Sequence, residues 1–197
     1  MNYLAHIYLS FGNEELMVGN YITDALRGMN INRFSPAVQN GIRLHRKIDA
    51  FTDSHPLFWE SKRKFSGEFD KFSGILVDIY YDHILARYFE RFSEIPLEQY
   101  ARQQYEVLRK YYPIFPDHAQ RFFDYMTSRN ILFEYSKLDG IELVLTHLSK
   151  RLERHGCSLQ DSVPLFRENM EQIEKEFFAF FDELHAYSRD QAELLLK

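Results

Sequence analysis

The chain is poor in the residues that make turns and cross-links. Its 197 residues include 8 glycines, 6 prolines and 1 cysteine. An all-β fold needs a turn about every 8–12 residues, and too few turn formers are present for that. The single cysteine, Cys157, excludes an intrachain disulfide and a cysteine-rich zinc site, and it suits a reducing cytoplasm. Its neighbour His155 stands at i, i−2, a spacing at which the two do not face each other on a helix, so a Cys/His catalytic pair is not expected there. No apolar run of about 18 residues occurs, so no membrane span is expected. The opening MNYLAHIYLSFGNEEL has neither a basic stretch nor a cleavage site, and does not read as a signal peptide. Phosphate-binding glycine loops, H-E-x-x-H and G-x-S-x-G are all missing.

Charge of one sign is also scarce over most of the chain. The net charge is −5. Residues 158–197 carry nine acidic and four basic side chains, which accounts for all of it. The first 157 residues are neutral overall, so nothing resembles the basic field of a nucleic-acid-binding domain. Two local basic clusters remain, Lys62-Arg63-Lys64 and Lys150-Arg151 with Arg154. Either could steer an acidic partner, and either could be a solvated helix face.

Aromatic residues, by contrast, are plentiful: 18 Phe, 13 Tyr and 1 Trp. They are enough for a sizeable core, and the length suits a single domain, 1–197. Helical periodicity dominates. Ser35-Pro36 reads as an N-cap with proline at the first helical position, and Gly41, Leu44, Ile48 and Phe51 recur at 3–4 spacing, which predicts a helix over 36–53. His55-Pro56 ends it. Further helices are expected over 14–27, 57–66, 74–92, 97–111, 117–128 and 137–154. Over 158–190, the residues Val163, Phe166, Met170, Ile173, Phe177, Phe180, Leu184 and Tyr187 form a 3-4 seam on a long acidic amphipathic helix. A seam of this kind serves a coiled-coil dimer or packs within its own domain, and the second is the simpler expectation. The fold expected is all-α, a compact multi-helix bundle with a long C-terminal amphipathic helix.

Four segments carry polar pairs at i, i+4: Asn2/His6, Asn20/Asp24, His45/Asp49 and Asp78/Asp82. Such pairs share a helix face, and bundle interiors build metal sites from them. With 29 acidic residues and 8 histidines, about seven Asp/Glu/His pairs arise by chance, so spacing alone is weak. Context adds weight. His45 and Asp49 flank the buried stripe of Leu44, Ile48 and Phe51, and Asp78 and Asp82 lie beside Ile75, Leu76, Ile79 and Tyr80. Carboxylates this near a core need a partner or a metal. The simpler partners are Arg43 or Arg46 for Asp49, and Arg87 or Lys71 for Asp82. His6 could equally be a core histidine.

The segments NYLAH (2–6), GNYITD (19–24), GIRLHRKIDAFTD (41–53) and DIYYDHILARYF (78–89) resemble the bacterial acyl carrier protein phosphodiesterases. The similarity is strongest over 1–90 and faint after about 95. It implies a helical fold distantly related to the HD-type metal-dependent phosphohydrolases. It also implies hydrolytic release of 4'-phosphopantetheine from holo-acyl carrier protein, an acidic helical partner, with a divalent cation, manganese first and magnesium as the alternative. The chain has no His-Asp dipeptide, and Asp82-His83 runs in the reverse order, so HD ligand positions cannot be copied across. Read with the resemblance, the metal candidates are His6, Asp24, His45, Asp49, Asp53, Asp78 and Asp82. His83 is a candidate general acid, His45 a ligand or catalytic neighbour, and Arg46 a candidate phosphate clamp. A phosphohydrolase acting on a nucleotide or other small diester, and a non-enzymatic helical interaction module, are the competing readings. The expected state is a cytoplasmic monomer or homodimer.

Overall fold

A computed structural model describes residues 1–151, with nothing said of the Arg151 side chain, and residues 157–197. His155 and Arg154 lie outside the described residues. Ten α-helices and no strand occur among the described residues: α1 (Tyr3–Tyr8), α2 (Glu14–Ile22), α3 (Pro36–Ser54), α4 (Pro56–Arg63), α5 (Ser73–Arg87), α6 (Leu97–Lys110), α7 (Asp117–Ser128), α8 (Ile131–Glu134), α9 (Leu138–Arg151) and α10 (Val163–Leu195).

Local chemistry sets the boundaries. Asn13 caps α2 by accepting from Leu16 N, with Glu14 and Glu15 in the first turn, where acids suit the positive helix end. The Ser35 hydroxyl accepts from Val38 N, with Pro36 opening α3. His55 ends α3, and its ring accepts from Leu57 N to cap α4. Several boundaries differ from expectation. Helix α4 ends at Arg63 and not 66, and the long helix expected over 158–190 starts at Val163, after a 3₁₀ turn, and runs on to Leu195. The helix over 14–27 stops at Ile22 and tightens into a 3₁₀ turn, Thr23–Ala25, that carries Asp24. The helix expected to reach 92 ends at Arg87. Asn2 is the N-cap of α1, not a face-mate of His6 inside a helix.

The helices α2 and α3 cross at two glycines. A Cβ on Gly19 would stand 2.1 Å from Val38 O, and one on Gly41 would stand 2.3 Å from Leu16 O. Only glycine allows backbones to approach this closely. The crossing brings the C-terminal end of α2 against the middle of α3.

The long helix α10 packs on α3, α4 and α5. Val163, Phe166, Ile173, Phe177, Phe180 and Leu184 of its seam are buried, so the seam meets its own domain. Phe166 stacks on Tyr80 with centroids 4.0 Å apart. One member of the acidic helix is not in water. Glu176 is buried, accepts from Ser61 Oγ at 2.6 Å, and pairs with Lys64 at 2.6 Å. A buried carboxylate needs such partners. Lys64 is thereby turned inward, Arg63 pairs with Glu60, and Lys62 lies 4.0 Å over the Trp59 ring, so the basic cluster 62–64 is largely engaged within the molecule.

Candidate metal centre

Four of the side chains singled out from sequence converge. Helix α3 presents His45 and Asp49 one turn apart. His45 Nε2 lies 3.0 Å from Asp49 Oδ2 and 3.2 Å from Asp24 Oδ1. From α1, His6 Nε2 comes within 3.2 Å of Asp49 Oδ1, in an orientation that makes no hydrogen bond. The two imidazoles stack with centroids 3.9 Å apart and planes 11° from parallel. Both rings are buried, and Asp24 and Asp49 face the outside. Asp49 pairs with neither Arg43 nor Arg46; Arg43 bonds Asn40 instead.

Asn20 holds both rings. His45 Nδ1 donates to the Asn20 backbone carbonyl at 2.8 Å, and His6 Nδ1 donates to Asn20 Oδ1 at 2.7 Å. The Asn20 amide is fixed in turn, donating to His6 O and to Ser10 Oγ. With each Nδ1 committed as a donor, both Nε2 atoms face Asp49: that of neutral His6 carries a lone pair, and that of His45 carries a proton shared with Asp24 and Asp49. A second partner that fixes the tautomer in this way is the usual companion of a ligating histidine. Asn20 stood in the sequence as half of an i, i+4 pair, but its role as orienter was not foreseen. The only signal for it is that same spacing.

Electrostatics separate the two rings. Burial, assisted by the neighbouring His45, pushes His6 down to about 4 despite Asp49. Burial opposes charge on His45 as well, but hydrogen bonds to Asp24 and Asp49 outweigh it and raise it to about 9. The carboxyl of Asp49 is held well below its usual range, because His45 and His6 overcome its burial. Asp24 is lowered for the same reason, chiefly by His45.

Helix α5 places Asp78 and Asp82 on one face, as their spacing predicts, but neither reaches the imidazoles. Asp78 Oδ1 binds the amino group of Met1 at 2.8 Å, and that group lies 3.9 Å from Asp49 Oδ1. A cation therefore already sits between the acids of α3 and α5. Asp82 is fully buried and accepts from Leu4 N at 2.7 Å and from Asn2 N and Ala5 N at 3.3 Å. It caps α1. Burial pushes it up to about 7 against the pull of the Met1 amino group and those N–H donors. Its oxygens are occupied by backbone, and the ligand role expected for Asp82 is replaced by this one.

Three further candidates lie elsewhere. His83 points into the core, where Nδ1 donates to Tyr135 O at 2.7 Å and the ring meets Phe166 edge-on. Burial lowers its pKa, and its near-complete burial leaves the general-acid role without support from the geometry. Asp53 is exposed one turn beyond Asp49, and Arg46 is exposed without an ion pair among the described residues. Asp53 reaches none of the cluster. Burial raises the thiol of Cys157, which disfavours a reactive thiolate.

Ligating atoms of His6, His45 and Asp49 lie within 4.8 Å of one another. Two metal–ligand bonds of about 2.0–2.2 Å span separations up to about 4.4 Å, which covers the 3.0 and 3.2 Å contacts of Asp49 with the two Nε2 atoms. The fit is good on two counts: the two Nε2 atoms converge on Asp49, and His6 Nε2 is buried with no hydrogen bond. Two nitrogens with carboxylate oxygen suit a hard-to-borderline divalent ion.

A cavity of about 240 Å³ opens beside this cluster and is lined at one end by Asp24 and Asp78. Its far walls come from α7, α8 and α9, a contribution of the second half of the chain that sequence reading missed.

Fold and centre together define an all-α protein with a compact Asp/His cluster built on facing helices at the mouth of a cavity. The family model described as acyl carrier protein phosphodiesterase matches residues 1–184. Curated proteins named "Acyl carrier protein phosphodiesterase" are similar over nearly their full length. The one from Serratia proteamaculans (strain 568) is 29% identical over 97% of this chain and 99% of its own. Two from Escherichia coli, strains O6:H1 and O139:H28, are 33% and 32% identical over 92% and 98% of this chain, and over 94% and 100% of their own. No solved structure gives a significant match. The chain belongs to the acyl carrier protein phosphodiesterase family.

Proposed function

We propose that this protein is a metal-dependent phosphodiesterase that releases 4'-phosphopantetheine from holo-acyl carrier protein and leaves the carrier serine free. The observation that carries the metal part is the convergence of His6, His45 and Asp49 with both imidazoles oriented by Asn20. Those three would hold the ion, and Asp24, 3.2 Å from His45, is placed to complete the set. A bound divalent cation, Mn²⁺ first and Mg²⁺ second, neutralises phosphate oxygens and acidifies a coordinated water. The chain's own contribution is positional. Asn20 keeps each Nδ1 protonated. Asp24, exposed at the mouth, is the group able to take up a proton from water. Asp78 and Asp82 are not chemical participants here; they anchor the first residues of the chain so that His6 stays in place. The cytoplasmic setting is supported by the lone cysteine and by the lack of a helix long and apolar enough to cross a membrane among the described residues.

A second reading, a nucleotide or other small diester as substrate, has one observation in its favour: the aromatic wall of the cavity, where Tyr125 stacks on His147 at 4.8 Å. The test compares His45→Ala and Asp49→Asn with wild type, on holo-carrier and on bis(p-nitrophenyl) phosphate. Both variants should lose at least about a hundredfold in Mn²⁺-stimulated kcat/KM on the carrier. Full activity in either removes that residue from the centre. Equal turnover of carrier and small diester by the wild type favours the second reading.

A further inference from the structure

The cavity beside the centre has the shape and lining of a binding slot. Asp24 and Asp78 line it, and Asp24 lies 3.2 Å from His45, so the cavity adjoins the cluster. Ile131, Val144 and Leu148 from α8 and α9, with Ile75 of α5, give it apolar walls, and Asn2, Tyr3, Tyr125 and His147 add polar groups. Tyr135 is a polar member of the lining that is fully buried. It is 1% exposed. Its hydroxyl accepts from Asn2 Nδ2 at 3.2 Å, and its own proton has no acceptor among the described residues. Burial keeps the phenol protonated, so the cavity contains a neutral donor without an acceptor. A buried donor of this kind calls for an acceptor brought by a ligand.

The volume, about 240 Å³, is below the roughly 300–1,000 Å³ of ordinary ligand sites. It suits a narrow chain better than a nucleoside. The acidic mouth keeps an anion out of the interior, and the phosphate would stay at the cation. We infer that this cavity holds the pantetheine arm of the substrate, in extended form, with the Tyr135 hydroxyl donating to an amide carbonyl of the arm. The inference rests on the carrier-phosphodiester reading above. An arm of alternating amides and short alkyl links matches apolar walls interspersed with polar groups, Tyr135 the buried one among them, and its phosphate end falls beside His45 and Asp49.

The experiment uses the full chain loaded with Mn²⁺. The readout is the ratio of kcat/KM for holo-carrier to kcat/KM for bis(p-nitrophenyl) phosphate, together with methyl NMR shifts of Ile131, Val144 and Leu148 on adding D-pantetheine. Val144→Trp fills the slot from a half-buried position and should lower the ratio by at least about tenfold. Ile75→Trp acts from an exposed position and gives the same readout if the first variant does not fold. Tyr135→Phe should raise KM for holo-carrier by about 3- to 10-fold, the worth of one hydrogen bond. D-pantetheine should shift the methyl signals of all three residues in wild type and leave those of Ile131 and Leu148 unmoved in Val144→Trp. An unchanged ratio in a folded Trp variant overturns the inference. So does an absence of methyl shifts, or a stronger shift with adenosine monophosphate than with D-pantetheine. The two readings fail separately. Absent pantetheine binding with hydrolysis still dependent on His45 overturns the slot alone. Pantetheine binding with hydrolysis indifferent to His45→Ala keeps the slot and overturns the centre.

Discussion

Asn20 makes the two imidazoles usable together. One residue, through its carbonyl and its side chain, sets the tautomer of both rings. The rings still differ in charge. His45, raised to about 9 by Asp24 and Asp49, is an imidazolium in the metal-free protein at neutral pH, and ligation needs it neutral. Metal uptake near pH 7 must therefore release a proton. Apparent Mn²⁺ affinity should climb with pH until about 9 and then level. Calorimetry in buffers of different ionisation enthalpy would show the released proton. The metal-free fold carries the opposite dependence. A raised histidine contributes stability that is complete below its unfolded value near 6.5 and is lost as pH rises through about 9. Metal-free protein should thus weaken over that window, whereas metal-loaded protein should not. At this scale the sequence was partly readable. The i, i+4 spacing of His45 and Asp49 indicated a shared face correctly. The same spacing in Asp78 and Asp82 meant something different, because a carboxylate that binds a metal and one that caps a helix look alike in one dimension. His83 shows the same ambiguity: what faces the core and what faces a cleft is decided by packing.

Between elements, the distance that matters is the one between α2 and α3. It brings Asn20 and Asp24 to His45, and it is set by backbone against backbone at Gly19 and Gly41. Gly41→Ala must push the helices apart or distort them, at about 1–3 kcal/mol. Because the crossing also positions the centre, Mn²⁺ affinity should fall along with the denaturation midpoint. A variant destabilised with unchanged metal affinity would show that the seam supports the fold alone. The helices themselves were largely legible. Ser35-Pro36, His55-Pro56 and the seam of α10 mark real boundaries and a real buried face. The helices α1 and α8, six and four residues long, are too short for any periodicity to reveal. Arg87 was expected to pair with Asp82 but pairs with Glu174 on α10, because Asp82 lies on the opposite face with α1.

For the whole molecule, the two ends of the chain do different work. The centre is drawn from the first 49 residues, and the cavity walls extend to Leu148. The long helix α10, about 50 Å by its 33 residues, runs behind both. Its phenylalanines form the aromatic core with Tyr81 and Phe92. Phe177→Ala removes a fully buried ring and should cost about 3–5 kcal/mol in chemical denaturation. Since the seam faces inward, the sedimentation mass should not change with that substitution. A change of mass would reinstate the coiled-coil use of the seam. The all-α class was readable from the lack of turn formers and the 3–4 periodicity. The participation of α7 to α9 in the cavity was not, because their apolar residues look like core residues in sequence and only their packing leaves a space. The capping of α1 by Asp82 has a consequence in time. A six-residue helix does not persist by itself in water, and two of its N–H groups, with that of its N-cap Asn2, find their acceptor about 80 residues downstream. Helix α1 can therefore take its place only once α5 has been synthesised and has docked, and a cation site that includes His6 would be complete only then.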